Sequence, residues 1–318
     1  MRAPKVSVLI PVFNGKRFLS ECLNSVLEQD FTDLEILLAD DASTDGSAQL
    51  IERLAAQDPR IRWWTNPKNL GLAANFNSCL LAARGEYIKF VLQDDKLLSP
   101  ATVRLMVAEL EQNADVSLVG SASQLVDAES RLIETRQYFK PGIADGLAII
   151  KECLERSANW IGEPSVVMFR RSQAERGFDV RYCQLIDLEM WFHLLAQGKF
   201  AYLPEPLCAF RRHDAQQSVL NRRLLIVSTE ELMLVQTCYQ QPWFRTIFTR
   251  QLMFSQIYSL RRHRTTAAVS FRKQMLEDFG AIWYGIYWLK RKLTRPLIKL
   301  WRQLGRFFNG KIKRYSPG

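Results

Sequence analysis

Along the first third of the chain, short β-branched and aliphatic runs alternate with stretches whose apolar residues recur at helical spacing. Val6 to Val12 is such a run, closed by Asn14-Gly15, and Phe18, Leu19, Cys22, Val26 and Leu27 then fall on one helical face. The order repeats three times: strand Leu34 to Ala39 with helix Gly46 to Gln57, strand Ile61 to Trp64 with helix Leu72 to Ala83, strand Tyr87 to Leu92 with helix Pro100 to Gln112. Four strand-helix units predict an α/β fold, a Rossmann-like and mostly parallel sheet flanked by helices, in which ligands gather beyond the carboxyl ends of the strands. After residue 115 the pattern loosens into shorter strands, Val116 to Ser121, Leu132 to Glu134 and Val166 to Phe169, with a helix from Leu185 to Gln197. From Val219 to Phe279 it turns helical. The predicted organisation is a domain over 1–218, with halves 1–115 and 116–218, a helical C-terminal extension over 219–280 and a tail over 281–318.

Charge sharpens that division. The chain has 318 residues, 47% of them apolar, and a formal net charge of +10. Ten of its 43 Lys and Arg lie in 281–318, which has no Asp or Glu, so the body carries 33 basic against 33 acidic side chains. The six cysteines lie far apart with no C-x-x-C pair, as suits reduced thiols in a cytosolic compartment better than a disulfide scaffold or a zinc site. Val6 to Phe13 is short and lacks a following small-residue cleavage site, so it reads as the first strand and not as a secretory leader.

Polar residues at the strand ends are the candidates for chemistry. Asp94-Asp95 follows the strand Tyr87 to Leu92 and Gln93; two adjacent carboxylates are either a solvated turn or a place where a cation compensates like charges. Asp40-Asp41 ends the second strand and is followed by Ala42-Ser43-Thr44-Asp45-Gly46. Thr44 or Asp45 can serve simply as a helix N-cap. That role leaves Asp40 and Asp41 unexplained, and they can accept hydrogen bonds from a nucleobase or a ribose.

Val6 to Asn14, Asp40 to Gly46, Asn69-Leu70-Gly71 with Asn77, Gly85-Glu86-Tyr87 and Gln93-Asp94-Asp95 together resemble the successive signature blocks of family 2 glycosyltransferases, over roughly residues 5 to 112. The resemblance implies an A-type glycosyltransferase fold, a nucleotide-sugar donor and inversion at the anomeric carbon. By matching positions it implies that Pro11, Phe13 and Asn14 lie at the nucleotide, that Asp41 accepts from the base imide, that Asp94 meets the ribose and that Asp95 binds Mn2+ or Mg2+. Asp187, at a helix start, resembles the family's general base, with Glu189 its nearest competitor and a helix-dipole carboxylate the structural alternative. His213, in Phe210-Arg211-Arg212-His213-Asp214, resembles the histidine that completes the metal site, and Arg211 and Arg212 can neutralise the diphosphate. Phe13 in place of tyrosine, Ala42, Ile186 in place of an acid and Lys96 beside the metal pair depart from the pattern; a lysine next to a cation is repulsive unless it points away.

The tail interleaves Trp288, Leu293, Leu297, Trp301, Phe307 and Phe308 with its basic residues, the pattern of a helix lying on an anionic membrane surface over 279–314. The uncharged run Phe279 to Leu289 is too short to cross a bilayer. Packing on the body and nucleic-acid binding are the other readings of such a tail, and nucleic acid is not expected. The expectation is an inverting, metal-dependent transferase that moves a sugar from a UDP- or dTDP-sugar to a hydroxyl of a surface-glycan or lipid-linked acceptor, cytoplasmic and peripheral at the inner face of the cell membrane. A catalytically inactive membrane-associated scaffold of the same fold is the alternative. A sugar-nucleotide-synthesising nucleotidyltransferase fits less well, for want of a Gly-rich phosphate loop near the N-terminus.

Overall fold

The computed structural model describes residues 2–214, 216, 226–247, 252 and 266–279. The opening units form as the periodicity predicts: β1 (Val6–Val12), α1 (Lys16–Leu27), β2 (Leu34–Asp40), α2 (Ser47–Ala55), β3 (Ile61–Thr65), α3 (Leu72–Ala82) and β4 (Tyr87–Phe90). After them come β5 (Lys96–Leu97) and α4 (Thr102–Gln112), then β6 (Val116–Val126), β7 (Leu132–Arg136), β8 (Gly142–Ala144) and α5 (Gly146–Arg156). A 3-10 turn at Pro164–Val166 leads to β9 (Met168–Arg170), α6 (Ile186–Leu195) and β10 (Lys199–Arg211), followed by helices α7 (Ile226–Tyr239), α8 (Phe244–Ile247) and α9 (Thr266–Phe279).

One ten-stranded sheet runs in the order β3-β2-β1-β4-β9-β6-β10-β5, with β7 on β6 and β8 on β10. It is parallel from β3 to β4, antiparallel on both sides of β9, and parallel again between β6 and β10. The carboxyl ends of β1, β2, β4 and β10 therefore open on the same edge. Every residue of β1 and β2 is buried, as expected of strands covered on both faces, whose sequences read as continuous apolar runs. On one face α1 delivers Leu19, Cys22, Leu23 and Val26 and α4 delivers Val103, Met106, Val107 and Leu110 into a common core. The other face is aromatic: Phe76 stacks on Phe90 at 4.8 Å, Phe90 and Phe76 meet Phe178, and Phe169 meets Trp191 at 5.8 Å.

Two buried polar devices lock strand order. Ser7 and Arg62 both donate to Glu35, at 2.7 and 2.6 Å, tying β1 to β2 and β3. Gly85, just ahead of β4, has the Ser7 amide nitrogen within 2.4 Å of where a Cβ would stand, so only glycine lets that backbone pass. None of the six cysteines is in a disulfide, and five are buried.

The chain divides into two compact units, 1–154 with 158–247, and 155–157 with 248–318. In the second, α9 carries Ala268, Phe271 and Met275 buried along one stripe. The basic segment 281–318 lies outside the described residues. Among the described residues no helix is long and apolar enough to cross a membrane.

Candidate active site

Three strand-end loops are stitched into one mouth by side chains that hydrogen-bond to backbone. After β4, the Gln93 amide clamps the Phe13 peptide from both sides, accepting from its N–H at 2.8 Å and donating to its carbonyl at 2.9 Å. The same amide comes within 2.2 Å of where a Cβ on residue 15 would sit, which is why the turn after β1 takes glycine. Asn14, at φ 51°, accepts from the Thr44 N–H at 2.9 Å, and its own N–H donates to Ser43 Oγ at 2.9 Å. Asp45 accepts from the Lys16 N–H at 3.0 Å and from Ser47. The loops that follow β1, β2 and β4 thus share their hydrogen bonds. Phe13 leaves 44% of its surface exposed at this edge, whereas Pro11 is buried within β1.

The paired carboxylates point in different directions. Asp95 is 1% exposed, with one oxygen accepting from Ser165 Oγ and the other from the Arg211 N–H at 3.0 Å. Burial, with repulsion from Asp94, holds its carboxyl well above the usual range. Asp94 faces the mouth, and its Oδ2 lies 2.9 Å from His213 Nε2, with both side chains partly accessible. The Phe18 ring backs the imidazole at 5.0 Å. The same division occurs at the end of β2. Asp41 accepts from Asn66 Nδ2 and from the Leu70 and Gly71 N–H groups at 2.9, 2.8 and 3.0 Å, so the Asn69-Leu70-Gly71 block is built around it. Asp40 uses one oxygen for the Ser43 N–H at 3.2 Å, while its buried Oδ1 has no hydrogen-bond partner.

Arg211 and Arg212 also part ways. The Arg211 side chain is 1% exposed and fully engaged, donating to the Asp94 carbonyl at 2.8 Å, to Ser130 Oγ at 2.7 Å and to Glu21 at 2.6 Å. It is a strut beneath the Asp94 loop and does not reach the mouth. Arg212, the next residue along, is exposed. Lys96 turns away from the carboxylate pair and donates to Glu21 at 2.6 Å, so Glu21 holds both cations. A buried lysine that no local pattern singles out supports the same region. Lys89, in the middle of β4, donates to the Ser165 and Val167 carbonyls and contacts Cys208 Sγ at 3.6 Å. Burial lowers its pKa, and its bonds pin the turn whose Ser165 holds Asp95.

The second wall of the mouth is the start of α6. Asp187 accepts from Asn159 Nδ2 at 3.0 Å and from the Leu188 N–H at 2.8 Å. Burial, reinforced by the nearby Glu163 charge, pushes its carboxyl up to about 7. A carboxylate tuned close to neutrality suits proton transfer at physiological pH. Glu189 is spoken for: Arg176 reaches both its oxygens at 2.9 Å. Ile186 is core, 3% exposed. The start of α6 has no capping side chain of its own; Glu230 from α7 accepts from the N–H groups of Cys183, Gln184 and Leu185 at 2.6, 2.9 and 2.7 Å. A carboxylate at that end of a helix is stabilised by the orphan N–H groups and the dipole. Nothing local in the sequence marks Glu230, because its partners lie some 45 residues away.

Among the described residues no group of three or more His, Cys, Asp or Glu is placed to hold a metal. The Asp94–His213 pair supplies two ligands of suitable chemistry. Two protein ligands plus phosphate oxygens and water is an arrangement that Mg2+ and Mn2+ accept.

Comparison with known proteins identifies the fold and the family. The Bacillus subtilis protein named as the glycosyltransferase EpsE is 39% identical over 248 residues, 73% of this chain and 84% of that protein. In fold the chain is similar to residues 1–349 of S. aureus TarS, solved with UDP-GlcNAc, at 17% identity and a TM-score of 0.57 over 86% of this chain and 71% of that one. It is likewise similar to the mannosyltransferase PcManGT of Pyrobaculum calidifontis, solved with GDP-Man and Mn2+, at 17% identity and a TM-score of 0.59 over 98% of this chain and 87% of that one. The sheet and its flanking helices are accordingly those of the A-type glycosyltransferase fold. The glycosyl transferase family 2 model matches residues 7–175, a span that contains the three stitched loops and the turn that holds Asp95, and the chain belongs to that family.

Proposed function

We propose that the chain is an inverting glycosyltransferase that moves a sugar from a UDP- or dTDP-sugar to an acceptor hydroxyl with the aid of Mn2+ or Mg2+. The observation that carries this reading is the outward-facing pair Asp94–His213, 2.9 Å apart, at a mouth whose other wall presents Asp187 with its carboxyl near 7. The exposed ring of Phe13 offers a stacking face to the base. Asp41 Oδ2, which takes only the Gly71 N–H, keeps one acceptor position, which suits the imide N–H of uracil or thymine.

The inward burial of Asp95 moves the metal assignment to its neighbour. Asp94 and His213 would hold the cation, and Asp95 would fix the loop from behind. A bound divalent cation would supply positive charge to the phosphate oxygens as the diphosphate departs. Arg212, exposed beside His213, is better placed than the enclosed Arg211 to meet that charge. Asp187 takes the proton of the attacking hydroxyl, Asn159 and the Leu188 N–H hold its carboxylate in place, and inversion needs only this one base.

The complexes of TarS with UDP-GlcNAc and of PcManGT with GDP-Man and Mn2+ support a nucleotide-sugar donor and a divalent cation here. The basic, Trp-containing sequence of 279–314 supports attachment to an anionic membrane surface, with the acceptor a surface glycan or a lipid-linked sugar. Ile186 and Lys96, the departures from the family pattern that favour a scaffold, both have structural roles, one in the core and one paired with Glu21. Calorimetry tests the proposal. UDP should bind tightly with Mn2+ and weakly without it, and Asp94→Asn should erase that difference; affinity indifferent to Mn2+ would refute the metal role.

A further inference from the structure

Beside Asp187 lies a cluster that the donor site does not use. The Tyr138 and Trp160 rings pack edge to face, with centroids 4.7 Å apart and planes at 86°. Tyr138 is 37% exposed, and its backbone is fixed by a hydrogen bond from its N–H to Tyr202 Oη at 3.2 Å. Trp160 sits in a turn knotted by one side chain. Asn159 Oδ1 accepts from the Ile161 and Gly162 N–H groups, both at 3.1 Å, and its Nδ2 donates to the Gly162 carbonyl at 3.1 Å and to Asp187 at 3.0 Å. The Trp191 indole bonds the same Gly162 carbonyl from the core at 3.0 Å. The Asn159 side chain that orients Asp187 therefore also fixes the turn that carries Trp160.

A polar rim completes the cluster. Arg136, on β7, donates to Glu163 at 3.3 Å and to Glu134 at 3.4 Å. Glu163 lies on the same short segment between Asn159, which bonds Asp187, and Ser165, which bonds Asp95, so the rim sits between the two walls of the mouth.

From this arrangement we infer that Tyr138 and Trp160 form the acceptor subsite and that its ligand is a sugar ring, with Arg136 and Glu163 hydrogen-bonding its hydroxyls. The inference rests on the transferase reading above and names its acceptor class. A pyranose has an apolar C–H face and a rim of hydroxyls, the complement of an aromatic surface edged by a few fixed donors and acceptors. A lipid chain has no use for a carboxylate and a guanidinium at its edge. A free phosphate needs a cation not already neutralised, and Arg136 is shared between two carboxylates.

Saturation-transfer NMR on the full chain, with UDP and Mn2+ present, tests this using the methyl β-glycosides of glucose, galactose and N-acetylglucosamine as probes. Saturation is expected on the ring C–H protons of at least one of them, reduced about fivefold or more by Tyr138→Ala and by Trp160→Ala and largely kept by Trp160→Phe. No saturation of any of the three, or saturation indifferent to both alanine variants, overturns the subsite. Tyr138 is partly exposed, so its truncation decides the matter should Trp160→Ala fail to fold. The thermal shift that UDP and Mn2+ induce in the wild type is read separately; its absence counts against the donor reading and leaves the sugar result to be judged by itself.

Discussion

The two walls of the mouth use carboxylates in opposite ways. On the wall built after β1 and β2, Asp41 accepts from three N–H donors and Asp45 from the Lys16 and Ser47 amides, so these charges act as fasteners for the loops that follow those strands. On the wall built by the start of α6, Asp187 has two donors, burial outweighs them, and its carboxyl is pushed up to about 7. Donors spent on a carboxylate can fasten loops, whereas burial that outweighs its donors leaves a carboxyl ready to exchange a proton. Asp94 and Asp95 part in a different way within one dipeptide, Asp94 toward His213 at the mouth and Asp95 inward onto Ser165 and the Arg211 N–H.

The sharpest break in that contrast is expected at the dipeptide itself. Asp94→Asn should lower kcat/KM by about 10³-fold, the order of loss seen when a fixed transition-state charge is removed, and leave the thermal midpoint near that of the wild type. Asp95→Asn should do the reverse in stability, costing about 1–3 kcal/mol in a denaturant titration because its partners are buried. Equal stabilities for the two variants would contradict the inward and outward assignment.

Next in size is Asp187→Asn, expected to reduce kcat by about 10²–10⁴-fold with UDP affinity unchanged. The sign of the pH effect follows from the raised pKa. Below about 7 the carboxyl is protonated and cannot take a proton, so the wild-type rate should climb as pH rises through about 7 and then level off. The residual activity of the variant should lack that limb; a limb retained in Asp187→Asn would move the base elsewhere.

A smaller effect is expected at Glu230, which belongs to neither wall. Glu230→Gln keeps an acceptor but removes the charge at the start of α6, and should cost about 1–2 kcal/mol while slowing transfer severalfold. Smallest of all is Lys96→Met. The Lys96–Glu21 pair is partly solvated, so its loss should change stability by no more than about 1 kcal/mol and leave the Mn2+ dependence of UDP binding intact. A weakened Mn2+ dependence would mean that Lys96 does act at the cation.

The first half of the fold was legible because strands buried on both faces and amphipathic helices leave different periods in the sequence. β10 was not. Pro204 and Pro206 interrupt its apolar run, and its pairing with β6 slips around them, so Lys199–Arg211 reads as a loop although it is a long central strand. α5 went unread as well. In the site, the signature blocks fall on loops that the structure brings together, but adjacency conceals orientation. Asp94 and Asp95 lie in a turn beyond the end of β4, closed by the Asp95 N–H on the Leu92 carbonyl, so the alternation of the strand does not reach them and does not say which of the two turns inward. Arg211 and Arg212 posed the same ambiguity. Lys89, Ser165 and Glu230 had no local signal, since each acts on a segment distant in sequence.

The reach of Glu230 bears on how small a working piece of this enzyme can be. A fragment cut after residue 218 would keep every signature block, the Asp94–His213 pair and Asp187 itself, yet it would strip the carboxylate from three amides at the head of the helix that carries Asp187. Such a fragment should bind nucleotide while catalysing poorly, so the minimal competent piece of the protein is longer than the span its motifs occupy.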